Sequence, residues 1–290
     1  MAPAHKTPAP QLQQPPTDAA GMPIQRDFTS RAGRTGGYPA AHGSEVRQAG
    51  GGLRPAPGRT SGRGDALQVA ALYVETGGCY FGLPDVTVVG HGEDHADGST
   101  TVHLDGRAYR GPWPVVAHPS CKRFGRFWHG STRKPHQFKM GDDGGCFEHA
   151  LSTVRAYGGV IEHPCDSRAW GLFQLNAPPR QGGWVKADDL GGWTCCVDQG
   201  FYGHFANKLT WLYVFGVSRE DLPDLLWGKG EQRLHPVALE KYGYEKARRI
   251  GMMAMVGGKD KVRIRNRTPE RFRDQLLSIA RLSRARTLTR

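Results

Sequence analysis

Cys146-Phe147-Glu148-His149-Ala150-Leu151-Ser152-Thr153-Val154-Arg155-Ala156-Tyr157, then Gly158-Gly159, then Val160-Ile161-Glu162, is the stretch that decides the fold class. Phe147, Ala150, Leu151 and Val154 fall at i, i+3, i+4 and i+7, one apolar face of a helix. Asp142 and Asp143 precede it, where a helix N-terminus favours negative charge. Gly158-Gly159 stops the helix, and Val160-Ile161 opens an apolar strand that ends at Glu162.

The same alternation extends in both directions. Upstream, Val69-Ala70-Ala71-Leu72-Tyr73-Val74 reads as a buried strand closed by Glu75-Thr76-Gly77-Gly78, and Val86-Thr87-Val88-Val89 as a second that ends near Glu93 and Asp94. Residues 91–111 are polar, with a turn at Asp105-Gly106. Pro114-Val115-Val116-Ala117 is a third strand that runs into His118-Pro119-Ser120-Cys121. Downstream, a Gly/Trp/Pro-rich excursion precedes two more strands over 194–197 and 209–217. Thr268-Pro269-Glu270 opens a last helix carrying Phe272, Leu276, Leu277, Ile279 and Ala280. Strands apolar throughout, alternating with helix, predict an α/β fold: a mostly parallel sheet with helices on both faces. In such sheets ligands bind at the carboxyl ends of the strands.

Composition sets the limits. Of 290 residues, the first 66 are rich in Pro, Gly and Arg, as in Thr7-Pro8-Ala9-Pro10, and lack the apolar surface that would offset ordering entropy; they are expected to be a disordered arm. A transit peptide is the competing reading, but Pro and Gly oppose its amphipathic helix. The folded domain is expected over 67–285, with a basic tail at 286–290. No run approaches 18 apolar residues and no secretory h-region opens the chain, so the expectation is a soluble, cytoplasmic protein without membrane contact. Six cysteines without a CxxC pair predict free thiols rather than disulfides or a zinc site, and no metal. The net charge is +12. Residues 261–290 hold ten Lys/Arg against two acids, the first 70 hold eight against four, and the middle is close to neutral. Basic flanks suit a polyanion, of which nucleic acid is the usual case; a solvated tail is the plainer alternative. No obligate protein partner is evident.

Three strand ends carry chemistry: Cys121, Glu162 and Lys208 in Tyr202-Gly203-His204-Phe205-Ala206-Asn207-Lys208. A thiolate, an acid and a cation in that order are what covalent attack on an electron-poor ring requires. The bland alternative is three buried strands ending in ordinary turns. Lys122, Arg123 and Arg126 beside the cysteine are expected to lower its pKa. With Trp128, Arg133 and Lys134 they form a basic, aromatic loop expected to contact nucleic acid.

The ordered set resembles the cytosine-5 DNA methyltransferase family, a Rossmann-like fold that uses S-adenosylmethionine. Leu72-Tyr73-Val74-Glu75-Thr76-Gly77-Gly78 is similar to its first strand and glycine turn. Residues 115–125 resemble its Pro-Cys loop, with Ser120 in place of the proline. Val160-Ile161-Glu162-His163-Pro164 resembles its Glu-Asn-Val strand end, and residues 201–212 its Tyr-Gly-x-Pro-Gln-x-Arg-x-Arg segment, with Lys208 at the first arginine. Arg267-Thr268-Pro269-Glu270 is similar to its Thr-x-Arg-Glu motif. The pattern is also similar to phage-type reading frames. The resemblance implies that Cys121 adds to cytosine ring carbon 6, that Glu162 donates to ring nitrogen 3, and that Lys208 binds the base carbonyl or a phosphate. It implies that Glu75, Thr76, Gly77, Gly78, Asp94, Asp105, His118 and Pro119 hold S-adenosylmethionine, and that the partner is DNA. Two alternatives stay open: a DNA-binding protein on a decayed methyltransferase fold, and another pyrimidine or nucleotide modification, metal-assisted through His118, His163 and nearby cysteines.

Overall fold

The computed structural model describes residues 68–95, 99–125, 128–130, 137–227, 231–250 and 261–283. The arm at 1–66, the tail at 286–290, and Arg126, Arg133 and Lys134 lie outside the described residues. In chain order the elements are β1 (Val69–Leu72), β2 (Val74–Glu75), β3 (Val86–Val88), β4 (His91–Asp94), β5 (Thr100–Leu104), β6 (Val115–Ala117), α1 (Cys146–Tyr157), β7 (Gly159–Pro164) and α2 (Arg168–Leu172). Then follow β8 (Val185–Lys186), β9 (Trp193–Asp198), β10 (Leu209–Phe215), α3 (Pro236–Tyr242), α4 (Tyr244–Arg249), α5 (Lys261–Asn266) and α6 (Glu270–Leu282).

Seven strands form one sheet in the order β3-β1-β6-β7-β10-β9-β8. β3, β1, β6 and β7 pair in parallel. β10 runs antiparallel to both β7 and β9, and β8 antiparallel to β9. Five of the seven, β3, β1, β6, β7 and β9, therefore point the same way, which is the mostly parallel α/β sheet expected.

Strand alternation supplies both faces of the core. Val69, Ala71, Val116 and Val160 pack with Phe272, Leu276 and Ile279 of α6 on one side. Ala70, Leu72, Val115, Ala117 and Ile161 pack with Phe147, Ala150, Leu151 and Val154 of α1 on the other, together with Trp170 of α2. Full burial of one such large apolar side chain contributes roughly 1.5–3 kcal/mol. Asp143 starts α1 by accepting from the Gly145 N–H at 3.0 Å and the Phe147 N–H at 2.8 Å. Gly159 opens β7 at φ +128°, and a Cβ there would sit 2.0 Å from the Val115 carbonyl oxygen. Only glycine lets β6 and β7 approach this closely, and these are the strands that end next to Cys121 and Glu162.

One expectation needs correction. β1 does not run on to Val74: Tyr73 takes φ +59°, and Val74–Glu75 pairs instead with β4, which pairs with β5. A second, three-stranded sheet results, in the order β2-β4-β5. A left-handed bulky residue costs on the order of 1–3 kcal/mol. The Tyr73 ring lies against Gly106, where a Cβ would come within 3.0 Å of it, and its hydroxyl sits 2.9 Å from His149 Nδ1. These contacts hold the kink. Every residue of β5 is exposed, so it has no apolar alternation by which to be read.

Candidate active site at the carboxyl edge of the sheet

From β1 the chain passes to β3 on one side, whereas β6 lies on the other. The order reverses there, and a crevice opens outside the carboxyl ends of the strands. It is a cavity of about 1140 Å³, slightly larger than the usual small-molecule site of about 300–1,000 Å³. Cys121, Glu162 and Lys208 all line it. So do Glu75, Thr76, Gly78, Asp94, Asp105, His118 and Pro119, whereas Gly77 lies outside the lining. The three-stranded sheet forms its outer wall through His91, Gly92, Val102 and Leu104, and α5 a further wall through Arg263, Arg265 and Asn266.

Glu162 is buried and both its oxygens are engaged. His118 Nδ1 stands 3.0 Å from Oε2, and Gln199 Nε2 donates to Oε1 at 2.9 Å. Burial pushes its pKa up, but the His118 hydrogen bond and the Lys208 charge win and hold it at about 2. The group is thus a carboxylate, which only accepts. His118 Nδ1 must then carry the proton it shares with Glu162, and its Nε2 stands 2.9 Å from the Tyr80 hydroxyl. Burial keeps that phenol protonated. Gln199 Nε2 also donates to Thr210 Oγ1 at 2.8 Å, so one chain of hydrogen bonds, Tyr80–His118–Glu162–Gln199–Thr210, links the ends of four strands.

In this resting arrangement Glu162 is ionised, so a proton it gives must first be taken up. One expectation is corrected here: the Cys121 thiol is not acidified, because burial, then the Glu162 charge, push its pKa up, and the cations that oppose this are Arg265 and Lys208. Lys122 instead binds Asp94 Oδ1 at 2.8 Å and Thr100 Oγ1 at 2.6 Å. The Arg123 guanidinium lies 3.5 Å from the centre of the Phe138 ring. Trp128 packs edge-on to His129. Sequence neighbours of the cysteine turn away from it because a tight turn follows, closed by Phe124 and Gly125 N–H groups donating to the Cys121 carbonyl.

Lys208 is half-buried, and burial lowers its pKa while Glu162 and Cys121 oppose the drop. Its position comes from Asp198, a residue missed on sequence. Asp198 Oδ1 accepts from the Gly200 and Lys208 N–H groups, each at 2.9 Å, and Oδ2 accepts from Asn207 at 2.9 Å and Gln232 at 2.8 Å. An Asp two residues before Gly at a strand end is an Asx-turn signal and could have been found. Tyr80 and Gln199 carried no such signal.

His163 follows Glu162 in β7 and faces the opposite side, among Phe124, Phe147 and Trp170. Its Nδ1 is 2.6 Å from Ser167 Oγ, and burial lowers its pKa to about 4. It cannot share a ligand with His118. Among the described residues no group of three His, Cys, Asp or Glu could hold a metal. Also among them, the half-buried Glu75 carboxylate has no hydrogen-bond partner, and burial raises its pKa. It is available to a hydroxyl or ammonium group of a ligand. Both oxygens of Asp94 are instead taken, by Lys122, Thr100 and Asn266.

No protein-family model, curated protein or solved structure matches this chain. The chain has an α/β fold with a crevice where the strand order reverses. No helix among the described residues is long and apolar enough to cross a membrane.

Proposed function

We propose that this chain transfers a methyl group from S-adenosylmethionine to a pyrimidine base, cytosine in DNA, through a covalent adduct on Cys121. The observation that carries the reading is the convergence of Cys121, Glu162 and Lys208, from three separate strand ends, on one cavity. The unpartnered Glu75 carboxylate suits the ribose hydroxyls or the ammonium of the methyl donor, with Thr76 and Gly78 beside it. When bound, S-adenosylmethionine supplies an electrophilic methyl group to ring carbon 5.

The residues of the chain do the rest. Cys121 sulfur adds to ring carbon 6, and ring nitrogen 3 gains a proton. The proton that the thiol releases is the one Glu162 passes on to ring nitrogen 3. Once carbon 5 carries the methyl group, it gives up its own proton to water and the bond from carbon 6 to sulfur breaks. The nitrogen 3 proton returns through Glu162 to the sulfur, so that Cys121 ends as a thiol and Glu162 as the carboxylate. His118, anchored by Tyr80, fixes the orientation of that carboxylate. Lys208 offers its ammonium to the base carbonyl, where negative charge develops. Taking the base out of a stacked strand costs a few kcal/mol, and least from single-stranded DNA.

The chain should be incubated with S-adenosylmethionine and a cytosine-containing oligonucleotide, and the nucleosides analysed by mass. The expected result is a base methylated at carbon 5, with Cys121→Ser reducing the yield at least about a thousandfold while the fold is retained. Full activity of Cys121→Ser would sink the covalent route. The raised thiol pKa favours a second reading, a protein that binds DNA without modifying it. That reading gains if wild-type protein binds the oligonucleotide and leaves every base unchanged.

A further inference from the structure

The positive charge inside the cavity does not come from the loop that follows Cys121. It comes from α5 and the residue after it. Arg265 and Arg267 line the cavity with Lys208, near the Glu75 and Glu162 carboxylates. Glu162 is already engaged by His118 and Gln199 and holds neither guanidinium. At the other end charges pair locally: Arg107 with Asp105 at 2.7 Å, Lys122 with Asp94 at 2.8 Å, and Glu93 with His103 at 3.3 Å.

The way α5 is fastened explains why its arginines point inward. Ile264 packs on the small core of Phe205, Ala206, Leu234, Ala238 and Ala247. Asn266 Nδ2 donates to Asp94 Oδ2 at 2.7 Å, tying the helix to β4 across the cavity mouth. Arg265 uses only its Nε, on the neighbouring Asn266 Oδ1 at 3.1 Å. Among the described residues its two terminal nitrogens have no acceptor, and the Arg267 guanidinium has none either. Gathering cations around a half-buried lysine costs free energy, since Arg265 depresses the Lys208 pKa. Such a cluster is sustained by an anion, and a guanidinium fork matches phosphate oxygens.

We infer that Arg265 and Arg267 hold the phosphate of the nucleotide whose base lies against Cys121. The inference rests on the function proposed above and adds its substrate-anchoring group. The phosphate is either that of a free nucleotide or a phosphodiester of a strand, and both have the same chemistry.

Binding, not methyl transfer, tests it. The full chain, R265A/R267A and R265K/R267K are titrated at several salt concentrations with deoxycytidine, deoxycytidine 5′-monophosphate and a short single-stranded oligonucleotide. Wild type is expected to bind at least one phosphate-bearing ligand about tenfold or more tighter than deoxycytidine. In R265A/R267A that preference disappears, and the log–log salt slope for the oligonucleotide falls by about one for each arginine on a phosphate. The lysine pair keeps most of the slope and loses part of the affinity, because it has charge without the fork. A gain seen with the monophosphate identifies a nucleotide site, and one confined to the oligonucleotide identifies a strand. The inference is overturned if R265A/R267A binds the phosphate ligands as wild type does, or if wild type shows no phosphate preference. Arg267→Gln, checked by circular dichroism, guards against a folding failure of the double variant. Arginine-dependent binding without methyl transfer counts against the proposed function alone. Methyl transfer with arginine-independent binding counts against this inference alone.

Discussion

The cavity has two walls of opposite construction. The inner wall is the carboxyl edge of the large sheet, where Tyr80, His118, Glu162 and Gln199 are tied into one hydrogen-bonded chain with little solvent. The outer wall is the β2-β4-β5 sheet, whose charges pair at the surface, as Glu93 does with His103. Both walls contain carboxylates near histidines at about the same distance. In the inner wall burial makes each partner indispensable to the other, since an unpaired charge there has no water to turn to. In the outer wall water substitutes for either partner. Each of the three substitutions below probes that difference, beginning with the largest expected effect.

Glu162→Ala should have the largest effect. The folded pKa is about 2, and an unfolded glutamate titrates near about 4.3. As pH falls the unfolded chain takes the proton first, so the stabilisation is complete above about pH 4.3 and is lost as pH drops toward 2. At neutral pH it amounts to roughly 3 kcal/mol. Glu162→Ala removes it, takes one acceptor from each of His118 and Gln199, and leaves Lys208 without the negative charge that offsets its burial. Urea unfolding at pH 7 should show that loss, and it should shrink as the pH nears 2. A variant as stable as wild type at pH 7 would mean that the chain of hydrogen bonds is strained for function and contributes no net stability.

His163 tests the far side of the same strand. It is neutral and enclosed by aromatic rings, with a pKa of about 4, whereas an unfolded histidine titrates near about 6.5. Here the unfolded state binds the proton below about pH 6.5 while the fold refuses it. Stability is complete above that pH and declines toward pH 4, by about 1.4 kcal/mol per pH unit for each such group. His204, held at about 3 by burial and the Lys208 charge, adds a second proton. Between pH 6.5 and 4.5 these two histidines should together contribute the slope of about two protons to the loss of stability. His163→Phe should lower the wild-type slope by about one proton, because phenylalanine suits the ring cluster and does not titrate. An unchanged slope in His163→Phe would show that other groups set the acid limit.

What residue order reveals follows from the same division. α1, α6 and the strands β1, β6, β7, β9 and β10 are legible because they are buried and apolar on a fixed period: Phe147, Ala150, Leu151 and Val154 mark α1 as plainly as Phe272, Leu276 and Ile279 mark α6. The outer wall is not legible. β5 is exposed along its length, and the break before β2 depends on Tyr73 reaching His149, 76 residues away in sequence. Site charges fail for a related reason. Lys122 and Arg123 adjoin Cys121 in sequence, but the turn sends them to Asp94 and Phe138, while Arg265 arrives from a helix at the other end of the domain. Proximity across a sheet edge leaves no periodic trace.

Glu93→Gln is the smallest test and the sharpest check on the contrast. The Glu93 and His103 side chains are 48% and 41% exposed and 3.3 Å apart, close to the 3.0 Å of Glu162 and His118. If distance decided the energy, the two pairs would count alike. Solvent screening should instead reduce the outer pair to about 0.5 kcal/mol or less. Glu93→Gln keeps the size and an acceptor oxygen while it deletes the charge, so urea unfolding at pH 6 should shift by no more than that, and added salt should erase even this shift. The Glu162→Ala loss should persist in the same salt, because ions do not reach a buried carboxylate. A loss above about 1.5 kcal/mol for Glu93→Gln would mean that the three-stranded sheet is less open to water than its exposure indicates, and the outer wall would then belong with the inner one.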